Sequence, residues 1–214
     1  MIQLVGILNI TPDSFSDGGE FLDPESALIH AEQLFHDGAT IVDVGAESTR
    51  PGATALTWQQ EWARLAPVLP ELLRRYPGKI SLDSYHPETI LEAAKHGKYI
   101  INDITGLETA AMVRAVLQTE SPVIISHIPT SAIQAAHSGK LIDDISMVRD
   151  DLEAKVDLLR SFGYDDQQII LDPGIGFGKT PRLNHELLTF AEHVPGYPVM
   201  IGYSRKRFLG ENRI

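Results

Sequence analysis

The chain has 214 residues, 43% of them hydrophobic and 22% charged, so it can bury a sizeable core in one large domain or two small ones. Its net charge of -11 argues against a nucleic-acid partner, which needs a basic face. The absence of cysteine excludes disulfides, thiolate nucleophiles and cysteine-ligated metals. No apolar run reaches the roughly 18 residues of a membrane span. We therefore expect a cytoplasmic protein with no membrane contact.

Strand-like and helix-like runs alternate along the whole chain. The pattern predicts seven strands, at residues 3–10, 40–45, 79–83, 99–102, 122–127, 168–172 and 198–203. Helices are predicted between them, at about 23–35, 57–73, 87–96, 108–118, 143–162 and 183–193. Asp23 and Pro24 offer a cap and a first-turn proline, and Thr57 with Gln60 forms a possible capping box.

Strict alternation of this kind predicts a parallel sheet with right-handed crossovers. A doubly wound sheet and a (β/α)8 TIM barrel both fit. The barrel is favoured because functional-looking blocks follow nearly every strand, whereas a doubly wound sheet would concentrate them near one switch point. Seven of the eight strand–helix units are present, so we expect residues 1–214 to form a single α/β barrel domain that is truncated at its C-terminus.

Four short blocks combine turn residues with acids, hydroxyls or bases. They are residues 9–19 (Asn-Ile-Thr-Pro-Asp-Ser-Phe-Ser-Asp-Gly-Gly), 43–53 (Asp-Val-Gly-Ala-Glu-Ser-Thr-Arg-Pro-Gly-Ala), 172–179 (Asp-Pro-Gly-Ile-Gly-Phe-Gly-Lys) and 204–206 (Ser-Arg-Lys). Each accompanies the end of a predicted strand. Blocks of this kind are typical of an active site assembled from loops at one end of a parallel sheet.

Asp43, Asp83, Asn102 and Asp172 each lie at the C-terminal edge of a predicted strand. One such residue could simply cap the next helix, but four at a barrel mouth would repel one another unless a ligand or cation compensated them. The matching ligand is a planar heterocycle with adjacent N–H donors, because a carboxylate accepts two parallel N–H bonds. His127 is the only histidine that we expect near this mouth.

Basic residues that could balance these acids occur in the second and fourth blocks. Arg50, Arg205 and Lys206, with a helix starting near Ser204, predict a phosphate or diphosphate site. Residues 174–180 are not a P-loop, because Pro173 occupies the position that requires glycine. We interpret them as a loop that lets a flat ligand approach the backbone.

Together the four blocks resemble those of the dihydropteroate synthases, a family of (β/α)8 barrel enzymes in folate biosynthesis, over about residues 4–210. The resemblance implies a transferase that joins 6-hydroxymethyl-7,8-dihydropterin diphosphate to 4-aminobenzoate and releases pyrophosphate, with Mg²⁺ as cofactor. It also implies that sulfonamides compete for the aminobenzoate site. The expected partners are these small molecules and a second copy of the chain in a homodimer.

The resemblance also implies roles for individual residues. The pterin would be bound by Asp83, Asn102, Asp172 and Lys206. The aminobenzoate would be surrounded by Phe15, Thr49, Pro51, Phe177, Ser204 and Lys206, with Gly176 as a further substrate-binding candidate. Asn9 would reach the magnesium–diphosphate group. The candidate catalytic residues are Asp43, which would support its neighbours or the departing group, Arg50, which would bind the diphosphate, and Lys206.

The sequence departs from the family pattern in three places. Ala46 stands where the family usually has a second glycine, residues 128–131 differ from the family's Met-x-Gly-x-Pro, and the Arg-x-His segment after the eighth strand is absent. Two alternatives therefore stay open. One is a degenerate relative that binds pterin without turnover. The other is a methyltetrahydrofolate-binding methyltransferase, which would share the pterin acids but need neither Ser-Thr-Arg-Pro nor Ser-Arg-Lys.

Overall fold

A computed structural model describes residues 2–11, 23–47, 55–129 and 141–204. In these ranges the strands are β1 (Val5–Asn9), β2 (Ile41–Gly45), β3 (Ile80–Asp83), β4 (Ile100–Asp103), β5 (Val123–Ser126) and β6 (Ile169–Asp172). The helices are α1 (Pro24–His36), α2 (Trp58–Leu65), α3 (Leu69–Arg75), α4 (Pro87–Ala93), α5 (Ala110–Thr119), α6 (Ile145–Ser161) and α7 (Pro181–Glu186). Short 3₁₀ turns cover Asp166–Gln168 and Leu187–Glu192.

The chain divides into two compact units. The first comprises residues 1–102 and 114–121, and the second comprises residues 103–113 and 122–214. In the first unit β1 pairs with β2, β2 with β3 and β3 with β4, always in parallel. In the second unit β5 pairs in parallel with β6. The alternation that the sequence predicts is therefore realised in the described part of the chain.

The sheet of the first unit has one wholly apolar face and one face on which polar and apolar residues are mixed. The apolar face is fully buried and consists of Leu8, Val42, Val44, Ile80, Leu82 and Ile101. The opposite face carries the polar residues Asn9, Asp43, Ser81, Asp83 and Asn102 together with Val5, Ile7, Ile41 and Ile100. Parallel strands are usually apolar on both faces, so these polar residues mark the side of the sheet on which to look for a binding site.

The predicted starts of α1 and α2 are confirmed, and their caps explain them. The Asp23 carboxylate accepts a hydrogen bond from the Ser26 N–H at 3.1 Å, with Pro24 in the first turn of α1. Thr57 and Gln60 form a reciprocal capping box at the start of α2. In both helices the cap satisfies backbone donors that have no partner inside the helix.

Two sequence-based boundaries were wrong. The helix predicted over residues 57–73 is two helices, because Pro67 and Pro70 lack the N–H groups that a continuous helix would need there. The seventh strand, predicted at 198–203, is reduced to one parallel bridge between Leu171 and Val199. Pro198 has no N–H to extend the ladder, although its carbonyl accepts from the Leu171 N–H at 3.0 Å. None of the helices in the described ranges has the length and apolar character of a bilayer-crossing segment.

Candidate functional site

The carboxyl ends of strands β1 to β4 form a row of polar positions in the first unit. The register aligns Asn9 with Gly45, Gly45 with Asp83, and Asp83 with Asn102. Paired residues of parallel strands project to the same side of a sheet, so Asn9, Asp83 and Asn102 share one face at one edge. The structure thus brings together three residues that the sequence singled out.

Gly45 leaves room for the Asp83 carboxylate in this row. A β-carbon at Gly45 would lie 3.2 Å from Asp83 Oδ2, which is tighter than most side-chain contacts, and 3.4 Å from Asp83 Cβ. The glycine that precedes Ala46 in the second block therefore allows the Asp83 side chain to lie over the neighbouring strand.

Asp43 lies one layer below this edge and forms a buried polar pair with Asn102. Their exposed fractions are 7% and 5%. The Asn102 Nδ2 group donates to both Asp43 carboxylate oxygens, at 3.2 Å each. Burial raises the pKa of the Asp43 carboxyl, and the hydrogen bond from Asn102 opposes that shift. The pair orients the Asn102 amide, because its nitrogen must face the acid.

The carbonyl oxygen of Asn102 is left open by this arrangement. Oδ1 is buried and has no hydrogen-bond partner among the residues that the structure describes. A buried amide acceptor without a partner costs free energy on the order of 1–3 kcal/mol. A ligand N–H donor at this position would remove that cost.

Glu47 lies two residues beyond the end of β2 and has a side chain that is 7% exposed. Its Oε1 atom accepts from the Tyr85 hydroxyl at 2.5 Å and from the backbone N–H of Leu56 at 3.3 Å. Its Oε2 atom lies 3.3 Å from His86 Nε2. Desolvation alone would raise the pKa of Glu47, but the hydrogen bonds from His86, Tyr85 and Leu56 outweigh it and lower that pKa. The hydrogen bond to Glu47 in turn raises the pKa of His86.

Glu61 on α2 completes this cluster of ionisable groups. Its side chain is fully buried, and its Oε2 atom accepts from the Ser84 hydroxyl at 2.8 Å. Potential ligand atoms of Glu47, Glu61 and His86 lie within 4.8 Å of one another, a spacing that also suits a metal ion. Because hydrogen bonds already occupy both Glu47 oxygens, we interpret the cluster as a hydrogen-bonded network.

The second unit contains the loop that follows β6. The Asp172 Oδ1 atom accepts from the Gly174 N–H at 2.7 Å, and the Gly176 N–H donates to Asn184 Oδ1 at 2.7 Å. The Phe177 N–H donates to the Gly174 carbonyl at 3.1 Å. These bonds hold three of the predicted substrate-binding residues in one ordered loop. Whether Asp172 shares a pocket with Asp83, as the sequence analysis expects, stays a prediction.

Lys179, at the end of this loop, is 4% exposed, and its hydrogen bonds indicate a structural role. Its ammonium group donates to the carbonyls of His127 at 3.2 Å, Gly174 at 2.8 Å and Phe177 at 3.0 Å. Gly174, at φ +65°, allows this close approach, since a β-carbon there would lie 2.0 Å from the His127 carbonyl oxygen. The glycines of the third block thus serve at least partly to wrap the backbone around a lysine.

His127, the histidine expected near the mouth, is 1% exposed and lies 3.2 Å through Nε2 from Asp151 Oδ2 on α6. Burial, followed by the charges of Lys179 and Lys155, lowers the pKa of His127 to about 3, so the ring is neutral. Its Nδ1 atom has no partner among the described residues. Contact between His127 and a ligand stays a prediction.

Several predicted site residues lie outside the described ranges. They are Phe15, Thr49, Arg50, Pro51, Arg205 and Lys206. Ser204 is described and exposed. Glu61, Tyr85 and His86 were not predicted from the sequence, and no role was predicted for Glu47. The only signal was proximity in sequence, since Glu47 lies within the second block and Tyr85 and His86 follow Asp83 directly.

Comparison with known proteins identifies the family. Residues 5–213 match the profile of the pterin-binding enzymes. The chain belongs to the pterin-binding enzyme family. Among its relatives, the dihydropteroate synthase of Bacillus subtilis is 39% identical over 210 residues, covering 97% of this chain and 71% of the relative.

Solved structures of the family resemble the fold closely. The dihydropteroate synthase of Xanthomonas albilineans with 4-aminobenzoic acid matches at a TM-score of 0.86 and 36% identity, over 98% of this chain and 75% of that one. The Yersinia pestis synthase in a sulfonamide complex matches at a TM-score of 0.86 and 34% identity, over 97% and 76% of the two chains. These structures are TIM barrels. The predicted α/β barrel class, the dihydropteroate synthase family and the assignment as a transferase of folate synthesis are therefore confirmed.

Proposed function

We propose that this chain condenses 6-hydroxymethyl-7,8-dihydropterin diphosphate with 4-aminobenzoate, and that the polar row of the first unit recognises the pterin. The observation that carries the proposal is the open Asn102 Oδ1 atom, buried beside Asp83 while Asn102 Nδ2 is held by Asp43. The X. albilineans synthase has been solved with 7,8-dihydropteroate, the product of this condensation, at 33% identity and a TM-score of 0.81.

Ring recognition follows from the donors and acceptors in this row. The aminopyrimidinone edge of a pterin presents adjacent N–H donors, and a carboxylate accepts two such bonds in parallel. Asp83 supplies that carboxylate, and Asn102 supplies an acceptor fixed in direction. Asp172 is proposed to add a second carboxylate, and Lys206 to contact the same ring.

Asp43 acts in this proposal through Asn102. If the Asn102 amide turned over, its carbonyl would face the Asp43 carboxylate and its nitrogen would face the pterin donors, so both interactions would become repulsive. The two 3.2 Å bonds to Asp43 hold the amide in the productive orientation. Burying the Asp43 carboxyl costs free energy, but the buried group fixes the amide orientation on which pterin specificity depends.

The reaction itself needs little acid–base chemistry. The bond between the pterin methylene carbon and the diphosphate oxygen breaks, and the electron pair leaves with pyrophosphate. Positive charge develops on the dihydropterin, which nearby carboxylates stabilise. The lone pair of the neutral aromatic amine forms the new C–N bond, and the amine proton passes to solvent or pyrophosphate. Arg50 is proposed to bind the departing diphosphate, and Phe15, Thr49, Pro51, Phe177 and Ser204 to surround the aminobenzoate.

Asn9 is the residue proposed to meet Mg²⁺. It is exposed at the end of the polar row, and its amide oxygen is a hard ligand of the kind that Mg²⁺ accepts. Asn9 would supply one protein oxygen to such an ion. If bound there, the ion would supply charge neutralisation for the leaving group.

The assembly and location of the chain are also proposals. We infer a homodimer in the cytoplasm, as the sequence analysis expects. Sedimentation of the purified chain at several concentrations tests the first, and fractionation of the producing cells tests the second. A concentration-independent monomer would contradict the dimer.

The proposed pterin site is tested by Asp83→Asn. Replacing one acceptor oxygen by an amide donor opposes a ligand N–H, so pterin affinity should fall by about 2 kcal/mol, or roughly 30-fold. Calorimetry with a pterin ligand measures this, with the exposed Asp37→Asn as the matched control. An unchanged affinity removes Asp83 from the site. Failure of the wild-type chain to form dihydropteroate from both substrates would overturn the proposed function.

A further inference from the structure

Ser84 directly follows Asp83 at the end of β3 and is 2% exposed. Its backbone N–H donates to the Asn102 carbonyl at 3.2 Å, which extends the pairing of β3 and β4 by one hydrogen bond beyond the end of β3. Ser84 therefore joins the backbones of the two residues that are proposed to bind the pterin, at the edge where their side chains share one face.

The Ser84 side chain is tied to the helices of the first unit. Its hydroxyl donates to Glu61 Oε2 on α2 at 2.8 Å. Its oxygen also accepts from the backbone N–H of His86 at 3.1 Å, directly before α4 begins at Pro87. Side chains alternate between the two faces of a strand, so the residue after Asp83 is well placed to point away from the polar row. One hydroxyl thus connects the end of β3 to α2 and to the start of α4.

Glu61 is an unusual residue for a position that is fully buried. Packing alone would be served by an apolar side chain, as it is by Leu65 one turn later, and a buried carboxyl costs free energy that an apolar group does not. Its Oε2 atom accepts from Ser84, whereas Oε1 has no hydrogen-bond partner among the described residues. This arrangement points to a role for the Glu61 carboxyl at Ser84.

We propose, resting on the function inferred above, that Ser84 is a positioning residue for the pterin site and that Glu61 holds Ser84 in place. Ser84 does not contact the substrate in this role. It fixes the end of β3 against β4 and so sets the distance between the Asp83 carboxylate and Asn102 Oδ1. Both acceptors must meet N–H donors of one rigid ring, and hydrogen bonds weaken when their distances and angles are distorted.

The proposal is tested first with Ser84→Ala. Ser161→Ala at the end of α6 is the matched control, because the Ser161 hydroxyl also donates one hydrogen bond, to the Leu158 carbonyl at 2.7 Å. We expect the affinity for 6-hydroxymethylpterin, measured by calorimetry, to fall about fivefold in Ser84→Ala. KM for 4-aminobenzoate should change less than about twofold, and the control should change neither quantity. Unchanged pterin affinity, or an equal effect on KM for 4-aminobenzoate, would overturn the positioning role.

Variants of Glu61 test whether it acts through Ser84. Glu61→Leu removes the acceptor, and its combination with Ser84→Ala should weaken pterin binding no further than the about fivefold loss of Ser84→Ala alone, since both changes break one link. Losses that multiply would overturn the role given to Glu61. Glu61→Gln keeps an acceptor for the Ser84 hydroxyl, so its pterin affinity should match that of the wild type. A loss as large as that of Glu61→Leu would contradict the proposal.

Hydrogen exchange provides a measurement that needs no ligand. In Ser84→Ala the protection of the amide at residue 84 should fall about tenfold, because the end of β3 is no longer anchored beside the Asn102 carbonyl. The His86 amide loses its acceptor and should lose protection as well, while Leu82 within β3 should keep it. Unchanged protection at residue 84, or an equal loss at Leu82, would overturn the local role. If the wild-type chain makes no dihydropteroate, the proposed function fails while exchange still decides the role of Ser84.

Discussion

Lys179 and Asn102 are two buried polar side chains, one in each compact unit, and the fold treats them in opposite ways. Lys179 is 4% exposed, and its three donors meet the carbonyls of His127, Gly174 and Phe177. Asn102 is 5% exposed, and its nitrogen is bound to Asp43 while its oxygen has no partner in the described part of the chain. The two residues have nearly the same burial but differ in how completely they are hydrogen-bonded.

This difference separates a structural polar group from a binding one. An ammonium group has three N–H donors, so Lys179 has no donor to spare for a ligand. An amide has two donors and an acceptor, and Asn102 keeps its acceptor open at an edge where Asp83 also lies. Several buried polar atoms of the described residues have no partner, and the place of Asn102 Oδ1 beside Asp83 makes it the one best suited to a ligand N–H donor.

The largest effect is expected where the hydrogen bonding is complete. Lys179→Met keeps the length of the side chain but leaves three carbonyls without their donor, so the free energy of unfolding should fall by about 3 kcal/mol. Urea unfolding measures the loss, and the exposed Lys95→Met is the control, with a change below about 0.5 kcal/mol. A loss under about 1 kcal/mol would show that the carbonyls find water instead and that the lysine is not a structural anchor.

Local signals in the sequence predicted much of this arrangement. Asp23 and Thr57 marked helix starts because capping is decided by a few neighbouring residues. Asp83 and Asn102 were recognisable because strand ends in a parallel sheet share an edge. Each of these inferences needs only local periodicity and the known geometry of one element.

Contacts between distant residues could not be read in the same way. Glu47 belongs to a recognisable block, but its link to Tyr85 and His86 spans 38 and 39 residues and depends on the register of β2 and β3. The opposite error occurred with the predicted seventh strand, where an apolar run suggested full pairing and only Val199 forms a bridge. Side-chain partners and ladder length are set by tertiary packing, which periodicity does not encode.

Asp43→Asn tests whether Asn102 serves binding, in contrast to the structural role of Lys179. The substitution keeps the size of the side chain but lets the amide of Asn102 turn, so pterin affinity should fall by about 1 kcal/mol, or roughly fivefold. The free energy of unfolding should not fall at neutral pH, because a buried carboxyl with a raised pKa is removed. Calorimetry and urea unfolding are compared with Asp37→Asn. A large loss of stability with unchanged affinity would make the pair structural, as Lys179 is.

The smallest effect is expected at Glu61, because the unpaired oxygen of a carboxyl group can be satisfied by a proton instead of a ligand. The Oε1 atom of this fully buried residue makes no hydrogen bond of ordinary geometry with the described residues. The Glu61 carboxyl can take up a proton, which the Asn102 amide cannot. Burial raises the pKa of Glu61 and so favours its protonated form. We therefore expect Glu61 Oε1 to be satisfied by protonation and Asn102 Oδ1 to be satisfied by a ligand.

The sign of the effect follows from the raised pKa of Glu61. The contribution to stability is complete below the unfolded-state pKa of about 4.5 and declines as pH rises toward the higher folded-state value. Glu61→Gln keeps an acceptor for the Ser84 hydroxyl and cannot ionise, so it should flatten this decline and raise the free energy of unfolding at neutral pH by up to about 1 kcal/mol. Urea unfolding between pH 4 and 8 measures it, with pterin affinity expected to stay unchanged. Lower stability at neutral pH would mean that Glu61 is held as a carboxylate by a partner, and the distinction between an open titratable atom and an open amide would then fail.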